Sequence, residues 1–142
     1  MIVLDTNVIS EPLRADADPA VLAWLNAQAA DTLYTTTINL AELYAGVAVL
    51  PAGKRRAELN TAIRSTLTRL FGARVLPFDT AAAECYAIIA QQAKASGMMV
   101  PHDDALIAAI AGAHGYAIAT RNVRNFAGST LDIINPWDRP TA

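Results

Sequence analysis

The chain has 142 residues and a mass of 15.0 kDa, a length that suits one domain. Hydrophobic residues make up 54% and charged residues 17%, which excludes a mainly disordered chain. A formal net charge of −2 and a pI near 5.6 argue against a globally basic nucleic-acid binder.

Alanine is the commonest residue. It buries little area but is the best helix former, so the apolar bias reads as helix-rich more than large-cored. One cysteine, Cys85, excludes an internal disulfide and a multi-cysteine zinc site. Two histidines, His102 and His114, are too few for a His-rich metal cluster. Met1 to Ser10 has no basic n-region and meets an acid at position 5, so it does not read as a signal peptide. The longest apolar run, Ala105 to Ala113, is too short to span a bilayer. The expectation is a reduced, cytoplasmic protein without membrane attachment.

Ile2, Val3 and Leu4 read as a buried strand ending at Asp5. Ser10-Glu11-Pro12 reads as a helix start or turn. Pro19 opens a helix through about Ala30, with an apolar stripe of Val21, Leu22, Trp24 and Leu25. Leu33 to Ile38 has high β propensity and reads as the second strand. Asn39 then serves as N-cap of a helix carrying Leu40, Leu43, Val47 and Leu50 at helical spacing, stopped by Pro51 and Gly53.

Lys54 to Leu70 reads as an amphipathic helix with Arg55, Arg56, Arg64 and Arg69 facing solvent. Arg74 to Phe78 is a short strand weakened by Pro77. Asp79 or Thr80 caps a long helix ending at Gly97, and His102-Asp103-Asp104 begins another that runs to about His114 and Gly115. Tyr116 to Ala119 and Leu131 to Ile134 read as the last strands. Strands alternating with helices predict an α/β fold: one domain with a mostly parallel sheet of four to five strands, flanked by helices. In such sheets ligands bind beyond the carboxyl ends of the strands, and this gives a positional test for each acid.

Asp5 directly follows the first strand and leads Thr6 and Asn7. An Asx turn or helix cap accounts for a lone Asp there equally well. Glu42 sits in an otherwise apolar helix, with Gly46 four residues on. Glycine costs roughly 1 kcal/mol relative to alanine in a helix interior, and here it clears space beside the carboxylate. A solvated Glu favoured by the helix dipole is the plainer alternative. Asp103 and Asp104 open a helix that is afterwards apolar for nine residues. Periodicity favours Asp103 as the cap and Asp104 facing inward. Acids gathered at one sheet edge point to a hard cation, since Mg²⁺ takes oxygen ligands and unpaired carboxylates repel.

Four segments resemble the PIN-domain family: Leu4-Asp5-Thr6-Asn7-Val8-Ile9-Ser10, Ala41-Glu42-Leu43-Tyr44-Ala45-Gly46, Asp104-Ala105-Leu106-Ile107-Ala108-Ala109, and Ala119-Thr120-Arg121-Asn122-Val123-Arg124-Asn125-Phe126. They are similar to the ribonuclease toxins of toxin–antitoxin pairs, the virulence-associated protein C (VapC) type. The opening LDTNVISEPLR and the closing Asn135-Pro136-Trp137 resemble the FitB subgroup. The likeness runs over 1–138 as one PIN domain and leaves 139–142 as a short tail.

The resemblance implies a metal-dependent endoribonuclease acting on RNA in the cytoplasm. By position, Asp5, Glu42 and Asp104 match the family's acidic cluster. Asp5 and Asp104 would hold Mg²⁺ or Mn²⁺, and Glu42 would act through water. Thr6, Asn7, Thr120 and Asn122 would support them by hydrogen bonds, and Arg121 and Arg124 would hold flanking phosphates. Many relatives carry a fourth acid where this chain has Asn122. The resemblance also implies a cognate VapB- or FitA-like antitoxin whose tail occupies the active-site groove, and a homodimer. Two other readings stay open at this point. A haloacid-dehalogenase-like phosphotransferase also places an Asp after its first strand, but wants a second Asp where Asn7 stands, and a downstream lysine where only Lys54 and Lys94 exist. The other is a non-catalytic binding module on the same fold.

Overall fold

The computed structural model describes residues 1–139; the last three residues of the expected 139–142 tail lie outside the described part. The strands are β1 (Ile2–Leu4), β2 (Leu33–Thr36), β3 (Val75–Leu76), β4 (Ala117–Ala119) and β5 (Ile133–Ile134). The helices are α1 (Thr6–Ser10), α2 (Pro19–Ala27), α3 (Thr37–Ala48), α4 (Lys54–Phe71), α5 (Thr80–Ser96) and α6 (His102–His114). All pairings are parallel, in the order β3-β2-β1-β4-β5.

Period-two alternation along the central strand divides the core between the two faces of the sheet. Leu4 joins Val8, Ile9, Leu33, Leu43, Val47, Ile63, Leu67 and Phe71 on the side of α1, α3 and α4. Its neighbour Val3 joins Leu76, Ile107, Ile110, Ile118 and Phe126 on the side of α5 and α6. In α6 the alanines Ala105, Ala108, Ala109 and Ala111 are buried alongside Ile107 and Ile110. Their small side chains let the helix lie close to the sheet while adding little apolar area each.

Several boundaries differ from expectation for local reasons. Ser10-Glu11-Pro12 is a junction where α1 ends and a 3₁₀ turn, Glu11–Leu13, begins. The second strand stops at Thr36 rather than Ile38, because Thr36 is the N-cap of α3: its hydroxyl accepts the Asn39 N–H at 3.2 Å. Asn39 is therefore a first-turn residue, fully buried, and not the cap. The helix from Pro19 ends at Ala27, and α3 ends at Ala48 short of Leu50. Only Val75 and Leu76 of the Arg74–Phe78 segment form strand; the Arg74 guanidinium instead donates to the Leu33 and Leu70 carbonyls. The last two strands begin one and two residues later than read, at Ala117 and Ile133. Asp79 caps α5 through the Ala82 N–H, and Gly97 and Gly115 close α5 and α6 in the left-handed conformation at φ 67 and 69. Asp103 does not cap α6, which starts at His102 after Pro101.

The chain order of the sheet reverses at β1: β2 and β3 lie to one side, β4 and β5 to the other. The crevice at the carboxyl ends of β1 and β4 is thus the topological switch point, where doubly wound sheets bind ligands. No helix among the described residues is long and apolar enough to cross a membrane.

Candidate functional site

Asp5 leaves β1 at the switch point and is 3% exposed. It is both the N-cap of α1 and a pocket acid, so the two sequence readings of this residue describe the same geometry. Its Oδ1 accepts the Thr6 N–H at 2.8 Å and the Asn39 Nδ2–H at 3.2 Å. Its Oδ2 accepts the Thr120 hydroxyl at 2.7 Å, from the residue that follows β4. Burial raises the Asp5 pKa from its ordinary value, and the bonds from Thr120, Thr6 and Asn39 oppose the rise.

A hydrogen-bond chain links this acid to the next. Thr36 Oγ1 donates to Asn39 Oδ1 at 2.6 Å, which orients the amide so that Nδ2 faces Asp5 and the Thr6 hydroxyl. Thr6 Oγ1 donates in turn to Glu42 Oε1 at 3.3 Å. The Glu42 carboxyl is pushed up to about 7, first by burial and then by the charges of Asp5, Asp103 and Asp104. Asp104 is raised by burial and by Asp5, against one stabilising bond from Asn125 Nδ2 at 2.8 Å. Asp103 is exposed while Asp104 is half-buried, so the inward assignment of Asp104 holds.

The structure therefore brings Asp5, Glu42 and Asp104 together as mutually repelling neighbours. It places the supporting residues less uniformly. Thr6 and Thr120 touch the acids directly. Asn7 acts on the backbone: its Oδ1 accepts the Arg121 N–H at 3.2 Å, tying the loop after β4 to α1. Asn122 contributes its own N–H to Thr120 Oγ1 at 3.0 Å, and its side chain caps nothing. Arg121 lies over Trp137, 5.1 Å from the ring centroid, and Arg124 is exposed. Two partners escaped the sequence reading. Asn39 passed for a cap, and Asn125, three residues beyond Asn122, is the residue that reaches Asp104. The 3₁₀ turn Val123–Phe126 swings it there, and such a turn has no periodicity to read.

Every group in the pocket able to bind a cation is a hard oxygen, the set that suits Mg²⁺ or Mn²⁺. Among the described residues no three of His, Cys, Asp and Glu close on a single ion position. The fit is therefore to a cation held by one or two carboxylates and completed by water and a phosphate oxygen, which is the usual protein environment of Mg²⁺. Beside the acids runs a groove of about 370 Å³ between α1, α3 and α4, lined by Thr6, Leu13, Glu42, Gly46, Val47 and Ile63. Gly46 borders it, and a Cβ built there meets nothing within 4 Å.

Fold and pocket together define a class: a doubly wound parallel α/β protein whose carboxylates gather at the switch-point crevice. Residues 2–127 match the PIN domain family model, and the chain belongs to that family. It is 49% identical to the VapC ribonuclease Y4jK of Sinorhizobium fredii, over 97% of this chain and 99% of that protein. It is 41% identical to Toxin FitB of Neisseria gonorrhoeae, over 96% and 99% respectively. A chain in the structure of FitAB bound to the IR36 DNA fragment superposes with a TM-score of 0.93, at 39% identity and 99% coverage of both chains. Membership of the PIN family displaces the haloacid-dehalogenase reading. One of the two lysines that reading could call on, Lys54, is 3.7 Å from Glu58 along α4.

Proposed function

We propose that the protein is a Mg²⁺- or Mn²⁺-dependent endoribonuclease and the toxin of a toxin–antitoxin pair, acting in the cytoplasm. The observation that carries this reading is the acid pocket. Glu42 is driven to about 7 by burial and three carboxylate neighbours, a repulsion that a divalent cation and a phosphodiester would relieve. The relatives named VapC ribonuclease and Toxin FitB support the RNA substrate and the toxin role.

Asp5 and Asp104 are the residues that would hold the cation, which supplies Lewis acidity at a phosphate oxygen when bound. Thr120, Thr6 and Asn39 lock both Asp5 oxygens, and Asn125 fixes Asp104, so the carboxylates are held in place before substrate arrives. Glu42, beside the two carboxylates that would hold the cation, orients the attacking water and accepts its proton as the water oxygen bonds to phosphorus. The ester P–O bond opposite breaks, and the leaving oxygen is protonated from solvent. No histidine is required.

The antitoxin's tail would lie in the groove beside Glu42, whose lining is mostly apolar with Glu42 and Arg14 as its charged groups, so a tail with apolar residues and an arginine directed at Glu42 suits it. Exposed Ile88 on α5 and Met99 just beyond it supply apolar surface for the expected homodimer. Incubation with end-labelled RNA tests the activity. Cleavage is expected with Mn²⁺ and absent with excess chelator; cleavage that persists in chelator contradicts the metal-dependent mechanism.

A further inference from the structure

Two segments singled out in the sequence contribute none of the three clustered acids: Ser10-Glu11-Pro12-Leu13-Arg14 and Asn135-Pro136-Trp137. They meet across a separate cleft of about 320 Å³, lined among others by Glu11, Arg14, Asp18, Arg121 and Trp137. Glu11 is 5% exposed, an unusual placement for a carboxylate. Its Oε1 accepts the Asp18 N–H at 2.9 Å. Among the described residues its Oε2 has no hydrogen-bond partner, and no sealed side-chain oxygen there lacks one. That second oxygen therefore opens into the cleft.

The two other acids of the cleft are already engaged, and Arg139 lines it as a further cation. Asp16 is bonded through both oxygens to Arg14, and Asp18 caps α2 through the Ala20 N–H. Opposite Glu11, the Arg121 guanidinium lies over the Trp137 indole. An arginine on an aromatic ring is a surface on which unpaired bases stack. The cleft is tied to the acid pocket at two points. Arg121 follows Thr120, which holds Asp5, and its N–H is fixed by Asn7 on α1. Glu11 lies at the far end of that same short helix, about 9 Å along the axis from Asp5.

We propose that this cleft is a nucleotide subsite that takes an unpaired RNA base beside the phosphate at Asp5, and that Glu11 selects bases bearing an exocyclic amino group. The proposal deepens the ribonuclease reading and rests on it. The free Oε2 accepts from the amino group of cytosine, whereas uracil presents a carbonyl oxygen at the same position and is repelled. Arg121 and Trp137 supply stacking that is indifferent to the base.

Cytosine and uracil oligoribonucleotides of equal length isolate that one group. Binding is measured at low salt with Ca²⁺ to fill the oxygen site, by anisotropy of a labelled oligomer whose intactness is checked afterwards. Wild type is expected to bind oligocytidylate about tenfold tighter than oligouridylate, as a hydrogen bond to a charged group would give. Glu11→Gln keeps an amide oxygen for the Asp18 N–H and turns a donor into the cleft. It should abolish or reverse the preference with an unchanged melting temperature. Arg121→Ala should weaken both oligomers about equally while retaining its backbone bond to Asn7.

Equal wild-type affinity for the two oligomers, or a preference that survives Glu11→Gln, overturns the subsite. Loss of antitoxin binding in Glu11→Gln with the RNA preference intact assigns the cleft to a peptide and overturns it too. Selective binding without cleavage in Mn²⁺ would instead count against the nuclease reading and leave the subsite standing.

Discussion

Of the side chains bonded to Asp5, Thr120 most opposes its raised pKa. Its hydroxyl donates to Asp5 Oδ2 at 2.7 Å and accepts from the Asn122 N–H at 3.0 Å, so it couples the end of β4 to the end of β1. Thr120→Val keeps the shape and removes both bonds. It should lower stability by about 1–3 kcal/mol, the cost of stranding buried polar groups, seen as a lower denaturant midpoint. RNA cleavage should fall with it, because Asp5 loses the bond that most opposes its raised pKa. At this scale the acids were legible in the sequence and their partners were not. Asp5, Glu42 and Asp104 stand out as charges inside apolar segments. Asn39 and Asn125 are neutral amides whose value depends on where a cap and a 3₁₀ turn place them.

At the scale of elements, legibility follows the strength of local chemistry. The α5 helix was readable because Asp79 and Gly97 mark its ends by cap and left-handed turn. The junction of β2 and α3 was not, because its threonines favour strands and also cap helices; tertiary pairing with β1 and β3 decides where one role gives way to the other. The parallel order of the sheet was legible from alternation of strand and helix, but the reversal at β1 is a product of packing. Gly46 offers an element-level test. It is a helix-interior glycine with ordinary φ and open space around its Cβ position. Gly46→Ala should stabilise the protein by about 1 kcal/mol and leave RNA cleavage unchanged. Gly46→Leu should keep cleavage while filling part of the groove beside Glu42, and so weaken inhibition by the antitoxin in a cleavage assay.

The whole molecule should show the pocket's repulsion as a pH dependence of stability. Glu42 titrates near 4.5 when unfolded and near 7 when folded, so the native state binds the extra proton between those values. Its contribution is fully present below about pH 4.5 and is lost as pH rises through about 7. Asp5 and Asp104 are shifted in the same direction. Melting of the protein in chelator should therefore fall between pH 5 and pH 7.5, and Glu42→Gln should flatten that decline. Mn²⁺ at 100 times its dissociation constant should restore about 2.7 kcal/mol near neutral pH. The near-neutral net charge of −2 limits non-specific attraction to RNA, so binding should depend on the cation and a few arginines.

On the proposed function, nuclease activity depends on the Asp5 carboxylate held at the switch point. The most direct measurement compares wild type with Asp5→Asn on labelled RNA in Mn²⁺. The substitution is isosteric and leaves one side-chain oxygen to accept hydrogen bonds, so the fold should survive, as checked by circular dichroism. Cleavage by wild type and none above background by the folded variant is the expected result. Cleavage by Asp5→Asn at the wild-type rate would contradict it.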